Sequence, residues 1–279
     1  MNAALLATLL STAPVLAMSE KQVDGQIADA HRLPLPQRIE KLSALFLGVP
    51  YGEFPLGDEL GPEKGPRWRV DAVDCQTYVE TVLAMANARS LDQARSVLDD
   101  IRYQGPPASF ANRNHFTEAQ WLPANAAKGY LADEVPSIDR RAPVETLTLR
   151  REEWTKVAGL KRLADAGIPE GSFEVRYLPL GEAKARMGSI APGSILMVVR
   201  EPSPERVVRI SHMGFVVDTP AGRAVRHAST GKEHAVVEEP FAQFVDRQGE
   251  YKKWKVVGFA LARPLDAAAR VAQLDPSRR

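Results

Sequence analysis

Val70-Asp71-Ala72-Val73-Asp74-Cys75-Gln76-Thr77-Tyr78-Val79-Glu80 holds the only cysteine of the chain. Asp74 stands where a helix N-cap belongs, because Tyr78, Val79, Val82, Leu83, Met85 and Ala86 follow at helical spacing. An aspartate caps by accepting the free N–H groups of the first turn. Cys75 is therefore expected at or just inside a helix N-terminus. There the positive end of the helix dipole favours thiolate over thiol, and such placement takes a cysteine from about 8.5 toward roughly 3.5–7.5. The competing reading is a small buried hydrophobe, since Cys75 shares a helix face with Val79, Val82 and Ala86.

The C-terminal half supplies what a nucleophilic thiol needs. In Arg209-Ile210-Ser211-His212-Met213-Gly214-Phe215-Val216-Val217, alternation puts Ile210, His212, Gly214 and Val216 on one face of a strand. In Ala224-Val225-Arg226-His227-Ala228-Ser229, His227 shares its face with Val225 and Ser229. Asp218-Thr219-Pro220-Ala221-Gly222 between them has turn composition. A turn centred between Thr219 and Pro220 places His212 directly opposite His227, with Cβ atoms about 5 Å apart. One imidazole would take the thiol proton and the second would fix the ring of the first. Gly214, on the same face, would leave room for a substrate or for the helix that carries the thiol. Alternatively, both rings sit on a half-exposed sheet with no chemistry.

A metal reading is poorer. His115, His212 and His227, with Cys75 or an aspartate as fourth ligand, have zinc-type chemistry. Yet no local spacing such as His-Glu-x-x-His or Cys-x-x-Cys is present, nor a Gly-rich phosphate loop, nor a Gly-x-Ser-x-Gly elbow. No metal is expected. The 279 residues carry 36 basic and 35 acidic side chains, a net charge of +1, which gives no reason to expect nucleic acid or an acidic membrane surface as partner.

Around these motifs the chain reads as helices first and strands later, an α+β arrangement rather than alternating βαβ units. Pro36 to Leu47 has helical periodicity, and Gly52 to Trp68 is a Gly- and Pro-rich loop. Ser90-Leu91-Asp92-Gln93 and Thr117-Glu118-Ala119-Gln120 are capping boxes, the second limited by Pro123. Strands are expected around Val144–Leu149, Phe173–Tyr177, Ser194–Val199, Arg209–Val217, Arg223–Ser229 and Val256–Ala262. Asn2 to Ala17 is an apolar run ending in small residues, and reads as a signal peptide lacking a basic n-region. It is too short for a good membrane span, and no other stretch is apolar enough. Export to the periplasm or beyond is expected. Residues 18–263 then form one domain, and 264–279 an Ala- and Arg-rich tail that is either a frayed helix or disordered.

Taken together, Asp74-Cys75-Gln76-Thr77-Tyr78-Val79-Glu80, Arg113-Asn114-His115-Phe116-Thr117 with Trp121, His212-Met213-Gly214 and Arg226-His227-Ala228-Ser229 resemble the N-acetylmuramoyl-L-alanine amidase-like family of bacterial cell-wall enzymes. These are distant relatives of the NlpC-type papain-like cysteine peptidases. Leu47-Gly48-Val49-Pro50-Tyr51 is similar to the family's segment upstream of the cysteine. The likeness runs from about Pro36 to Arg263. It implies a papain-like (NlpC-type) α+β fold with the catalytic helix packed on an antiparallel sheet, and no metal or organic cofactor. Cys75 is the implied nucleophile, His212 the general base and His227 the orienting residue. The implied substrate is a peptidoglycan fragment, cleaved at the amide between N-acetylmuramic acid and L-alanine. A peptidase acting within the stem peptide, or a silent cell-wall binding module, is the alternative. Gln76 departs from the family's usual valine beside the nucleophile. Arg113, His115 and Gln76 are the candidates for substrate contact. Glu80 falls roughly 140° round the helix from Cys75 and is expected to be structural, and Asp74 to cap.

Overall fold

The computed structural model describes residues 14–154 and 169–274. In chain order its helices are α1 (Glu20–Ala30), α2 (Leu35–Ala44), α3 (Cys75–Asn87), α4 (Leu91–Arg102), α5 (Leu122–Ala127), α6 (Val135–Ile138), α7 (Arg151–Trp154), α8 (Leu180–Arg186), α9 (Phe241–Gly249) and α10 (Ala268–Gln273). The strands are β1 (Leu131–Asp133), β2 (Val144–Leu149), β3 (Gly171–Arg176), β4 (Leu178–Pro179), β5 (Ile195–Arg200), β6 (Ile210–Thr219), β7 (Gly222–Ala228), β8 (Val236–Pro240) and β9 (Val256–Pro264). The main sheet runs β1-β9-β5-β6-β7-β8, with β4 also on β9, and every pairing is antiparallel. β2 and β3 form a separate hairpin-like pair. The mixed α+β class expected from the sequence is what the chain adopts.

β5 shows why the sheet has helices on both faces. Its six residues are all buried, the continuous apolar run that a strand covered on two sides requires. Ile195, Met197 and Val199 join one core with Val79, Val82, Leu83 and the inner faces of α1, α2 and α4. Leu196 and Val198 point the other way, into a second core with Phe241, Phe244 and Val245 of α9. Phe241, Phe244, Val245 and Gln248 are the buried face of α9 at helical spacing. α8 and α9, and Glu239 on β8 just before α9, are among the elements that sequence reading left out, as are α1, β1 and β4.

Local signals behaved unequally. Ser90 caps α4 through Gln93 N–H at 3.2 Å. The second expected box does not cap: Thr117–Trp121 is a π-helical turn whose N-cap is Phe116. Gln120 instead accepts N–H bonds from His115 (2.9 Å) and Phe116 (3.2 Å). Pro123 does not end a helix either; it lies in the first turn of α5, where its missing N–H costs nothing. The expected leader falls mostly outside the described residues. Of its last residues, Val15 is buried and its N–H donates to Leu45 O at 2.7 Å. After Pro264 the chain continues as α10, held by paired bonds of 2.9 and 2.5 Å from Arg270 to Asp100. No described helix is long and apolar enough to cross a membrane.

Candidate active site

A capping box sets Cys75 as the first residue of α3. Asp74 Oδ1 accepts the Thr77 N–H at 2.7 Å, and Thr77 Oγ1 accepts the Asp74 N–H at 2.9 Å. Such a cap contributes about 0.5–2 kcal/mol. Cys75 keeps some solvent exposure and packs against the larger core. Backbone groups of Met213, Gln76 and Cys75 itself favour the thiolate, but burial and then the Asp74 carboxylate outweigh them and push the thiol up to about 12. This corrects the expectation of a lowered thiol. The physical reason is first that burial disfavours the charged thiolate, and second that the positive helix end is already met by an anion, Asp74, which repels another at close range. Tyr51 is held nearby by a bridge to Val73 and by its ring against His234, with centroids 5.2 Å apart. Burial and then the charges of Cys75 and Asp74 push its hydroxyl up to about 12.

The Met213 backbone reaches the Cys75 thiol, and His212 precedes Met213 on β6. The start of β6 is anchored by buried Glu118, which accepts N–H bonds from Arg209 and from Ile210 (2.8 Å). A bulge follows, so that Val198 faces His212 and Val199 faces Ile210. His212 Nε2 lies 2.9 Å from His227 Nδ1, with the rings perpendicular and 4.9 Å apart. The two are not directly opposite, as the sequence predicted. The hairpin turn is centred one position later, between Pro220 and Ala221, so Phe215 faces Arg226 and Thr219 faces Gly222. Continuing that ladder puts His227 across from Gly214, and His212 meets it along a diagonal. Gly214 makes this possible: a Cβ there would come within 2.7 Å of His227 Cβ and of Arg226 O. The room it leaves serves neither substrate nor α3 but the His227 side chain.

From His227 the chain of contacts goes on. Its Nε2 lies 3.4 Å from Glu239 Oε2, and Arg247 on α9 donates to Glu239 Oε1 at 3.0 Å and Oε2 at 2.6 Å. Burial opposes the charge on Glu239, but bonds from His227 and Arg247 overcome it and bring the carboxyl down to about 2. Burial lowers His212 well below its ordinary value, and His227, Arg247 and Arg200 add to this while Glu239 opposes it. Thiol and His212 imidazole are thus both neutral near pH 7.

A cavity of about 410 Å3 opens at the first turn of α3, lined by Asp74, Gln76, Glu80, Arg113, His115 and Phe54 among others, though not by Cys75 itself. The three substrate-contact candidates all line it, and each is already held. Arg113 Nη2 donates to Glu63 at 2.6 Å, with Asp58 3.7 Å from its other branch. Gln76 Nε2 donates to Glu80 at 3.0 Å. His115 Nε2 donates to Phe110 O at 2.6 Å, and burial lowers its pKa to about 4, leaving it neutral. Glu80 is buried with Arg102, 3.6 Å away, in keeping with a structural place. Among the described residues, no three His, Cys, Asp or Glu side chains converge as a metal cluster.

A family model described as AmiA-like, N-acetylmuramoyl-L-alanine amidase-like, matches residues 41–250. Among solved structures, a Legionella pneumophila protein is similar at TM-score 0.76 and 25% identity, over 88% of this chain and 95% of that one. An N-acetylmuramoyl-L-alanine amidase from Bacteroides uniformis matches at TM-score 0.64 and 23% identity, over 82% of this chain and 98% of that one. A Bacteroides fragilis protein carrying a provisional xylanase name matches at TM-score 0.61 and 22% identity, over 80% and 99%. The last two likenesses are of fold. No curated protein sequence matches the chain.

Proposed function

The chain belongs to the N-acetylmuramoyl-L-alanine amidase-like family, and from that premise we propose that it is a cysteine-dependent hydrolase of bacterial peptidoglycan fragments. The bond cleaved is the amide between N-acetylmuramic acid and L-alanine, and the fold is of the papain-like, NlpC type. One observation carries the reading: Cys75 opens α3 beside Met213, whose neighbour His212 has its Nε2 on His227 Nδ1 at 2.9 Å.

In this mechanism Cys75 is the nucleophile, His212 the general base and His227 the residue that orients it. Because thiol and imidazole rest neutral, the proton moves from Sγ to His212 as sulfur closes on the lactyl carbonyl carbon. The C–S bond forms, and negative charge on the carbonyl oxygen is met by the Cys75 backbone N–H at the helix start. The C–N bond then breaks and His212 returns the proton to the leaving amine of L-alanine. Water, deprotonated by His212, attacks the thioester and releases the muramoyl acid and the free thiol. Arg113, His115 and Gln76 offer preset polar groups to the sugar or stem. The carboxylates already on Arg113 mean that a stem carboxylate must compete there. On this reading residues 1–17 are an export leader, and the enzyme works in the periplasm on its substrate.

Mass spectrometry of a defined muropeptide set, incubated with wild type and with Cys75→Ala, tests this. Free amino sugar plus an intact stem peptide, seen with wild type alone, is the expected result. Cleavage inside the stem would move the protein to the peptidases, and no cleavage by either protein would leave a binding module.

A further inference from the structure

The imidazole pair does not end at His227. On β7, His227 faces Val237 of β8, and Glu239 lies two residues further along that strand. His212, His227 and Glu239 therefore step diagonally across β6, β7 and β8 in one direction. Arg247 meets Glu239 from α9 with two bonds, and Phe244 of the same helix lies against both imidazoles, 6.4 Å from His212 and 5.2 Å from His227. The far end of the relay is therefore a packed, ion-paired carboxylate.

We propose that Glu239 is a positioning residue of this site, acting through His227 to fix which nitrogen of each imidazole carries the proton. A carboxylate only accepts hydrogen bonds, so the proton between Glu239 and His227 belongs to His227 Nε2. A singly protonated His227 then offers Nδ1 as an acceptor, and the bond between the rings takes its proton from His212 Nε2. This leaves His212 Nδ1 as the bare nitrogen, ready for the thiol proton. Without the carboxylate nothing on this path sets the order, and the opposite tautomer of His212 has its lone pair on Nε2, which is turned to His227. Arg247 holds the carboxylate in place and keeps it ionised. The inference rests on the hydrolase reading for its kinetic consequence, but not for the tautomers themselves.

Long-range 1H–15N spectra of the free full-length protein read the tautomers without substrate. Wild type is expected to show His212 and His227 both protonated at Nε2, and Glu239→Ala a mixture. With turnover on a muropeptide, Glu239→Ala should lose roughly 10–100-fold in kcat with little change in KM, the size typical of residues that orient a ligand or base. Glu239→Gln keeps an accepting oxygen and should restore most of the loss. Arg247→Lys should resemble wild type, and Arg247→Ala should resemble Glu239→Ala. His227 protonated at Nδ1 in wild type would overturn the proposal. So would wild-type tautomers in Glu239→Ala, even if that variant melts earlier. If wild type cleaves no muropeptide, the hydrolase reading fails while the spectra still decide this one.

Discussion

Cys75 takes its position from residues one and two places away, Asp74 and Thr77, whose reciprocal bonds fix the start of α3. His212 takes its position from Glu118, Gly214, His227, Glu239 and Arg247, which are spread over a π turn, three strands and α9. The thiol half of the site is local and the imidazole half is a product of sheet register. A local device tolerates change elsewhere in the chain, because its partners travel with it. A register device does not, because moving one strand by one residue turns a side chain to the other face. Damage to the second half should therefore be broader than its contact list suggests.

The largest effects test whether both halves are needed at all. Cys75→Ala and His212→Ala should each lower turnover at least ~10^4-fold, as removal of single members of a nucleophile–base unit does, while far-UV dichroism stays that of wild type. His227→Ala should lose less, because His212 keeps its place on β6. Full activity in His212→Ala would remove the base assignment.

Next comes the glycine that lets the two imidazoles meet. In Gly214→Ala the added methyl must push His227 or the β7 backbone, since it would lie 2.7 Å from both His227 Cβ and Arg226 O. Overpacking of this kind costs about 1–3 kcal/mol, and a displaced base of ~1 Å costs on the order of 100-fold in rate. Steady-state kinetics and a thermal melt on the same sample check both. An active, wild-type-like Gly214→Ala would mean that the diagonal contact of His212 and His227 does not limit the reaction.

This contrast also says what could be read in advance. The α3 start was legible because Asp74, Thr77 and the following apolar spacing are all within one helix turn or two. Strands such as β5 and β6 were legible because their runs are long and apolar. The pairing of His212 and His227 was legible as a face but not as a register. Nothing in Asp218 to Gly222 distinguishes a turn centred before Pro220 from one centred after it, and that single step converts opposite residues into diagonal ones. Glu239 was not legible at all. Val236-Val237-Glu238-Glu239-Pro240 reads as a short polar stretch until β7 is beside it. The spacing of Phe241, Phe244 and Val245 was the available signal for α9, and with it the place of Arg247. The thiol expectation failed first through burial, which the spacing of α3 did not reveal, and second through a charge that was in the sequence: Asp74 was read as a cap but not as a neighbouring carboxylate.

The smallest expected effect isolates that charge. Asn caps a helix as well as Asp does, so Asp74→Asn should keep α3 and change stability by less than about 0.5 kcal/mol. It removes the carboxylate that, after burial, holds the thiol up, so the thiol should titrate lower than in wild type. In wild type the thiol lies at about 12, and His212 charges only well below its ordinary value. Raising the pH therefore populates thiolate steadily, and iodoacetamide should modify Cys75 faster at each step up to about pH 9, with no plateau near neutrality. In Asp74→Asn the same curve should move to lower pH and the rate at about pH 7.5 should rise several-fold. A wild-type plateau between about pH 5 and 7 would report a preformed thiolate–imidazolium pair. In that case the helix end, and not burial with Asp74, governs the nucleophile, and the two halves of the site are coupled before substrate arrives.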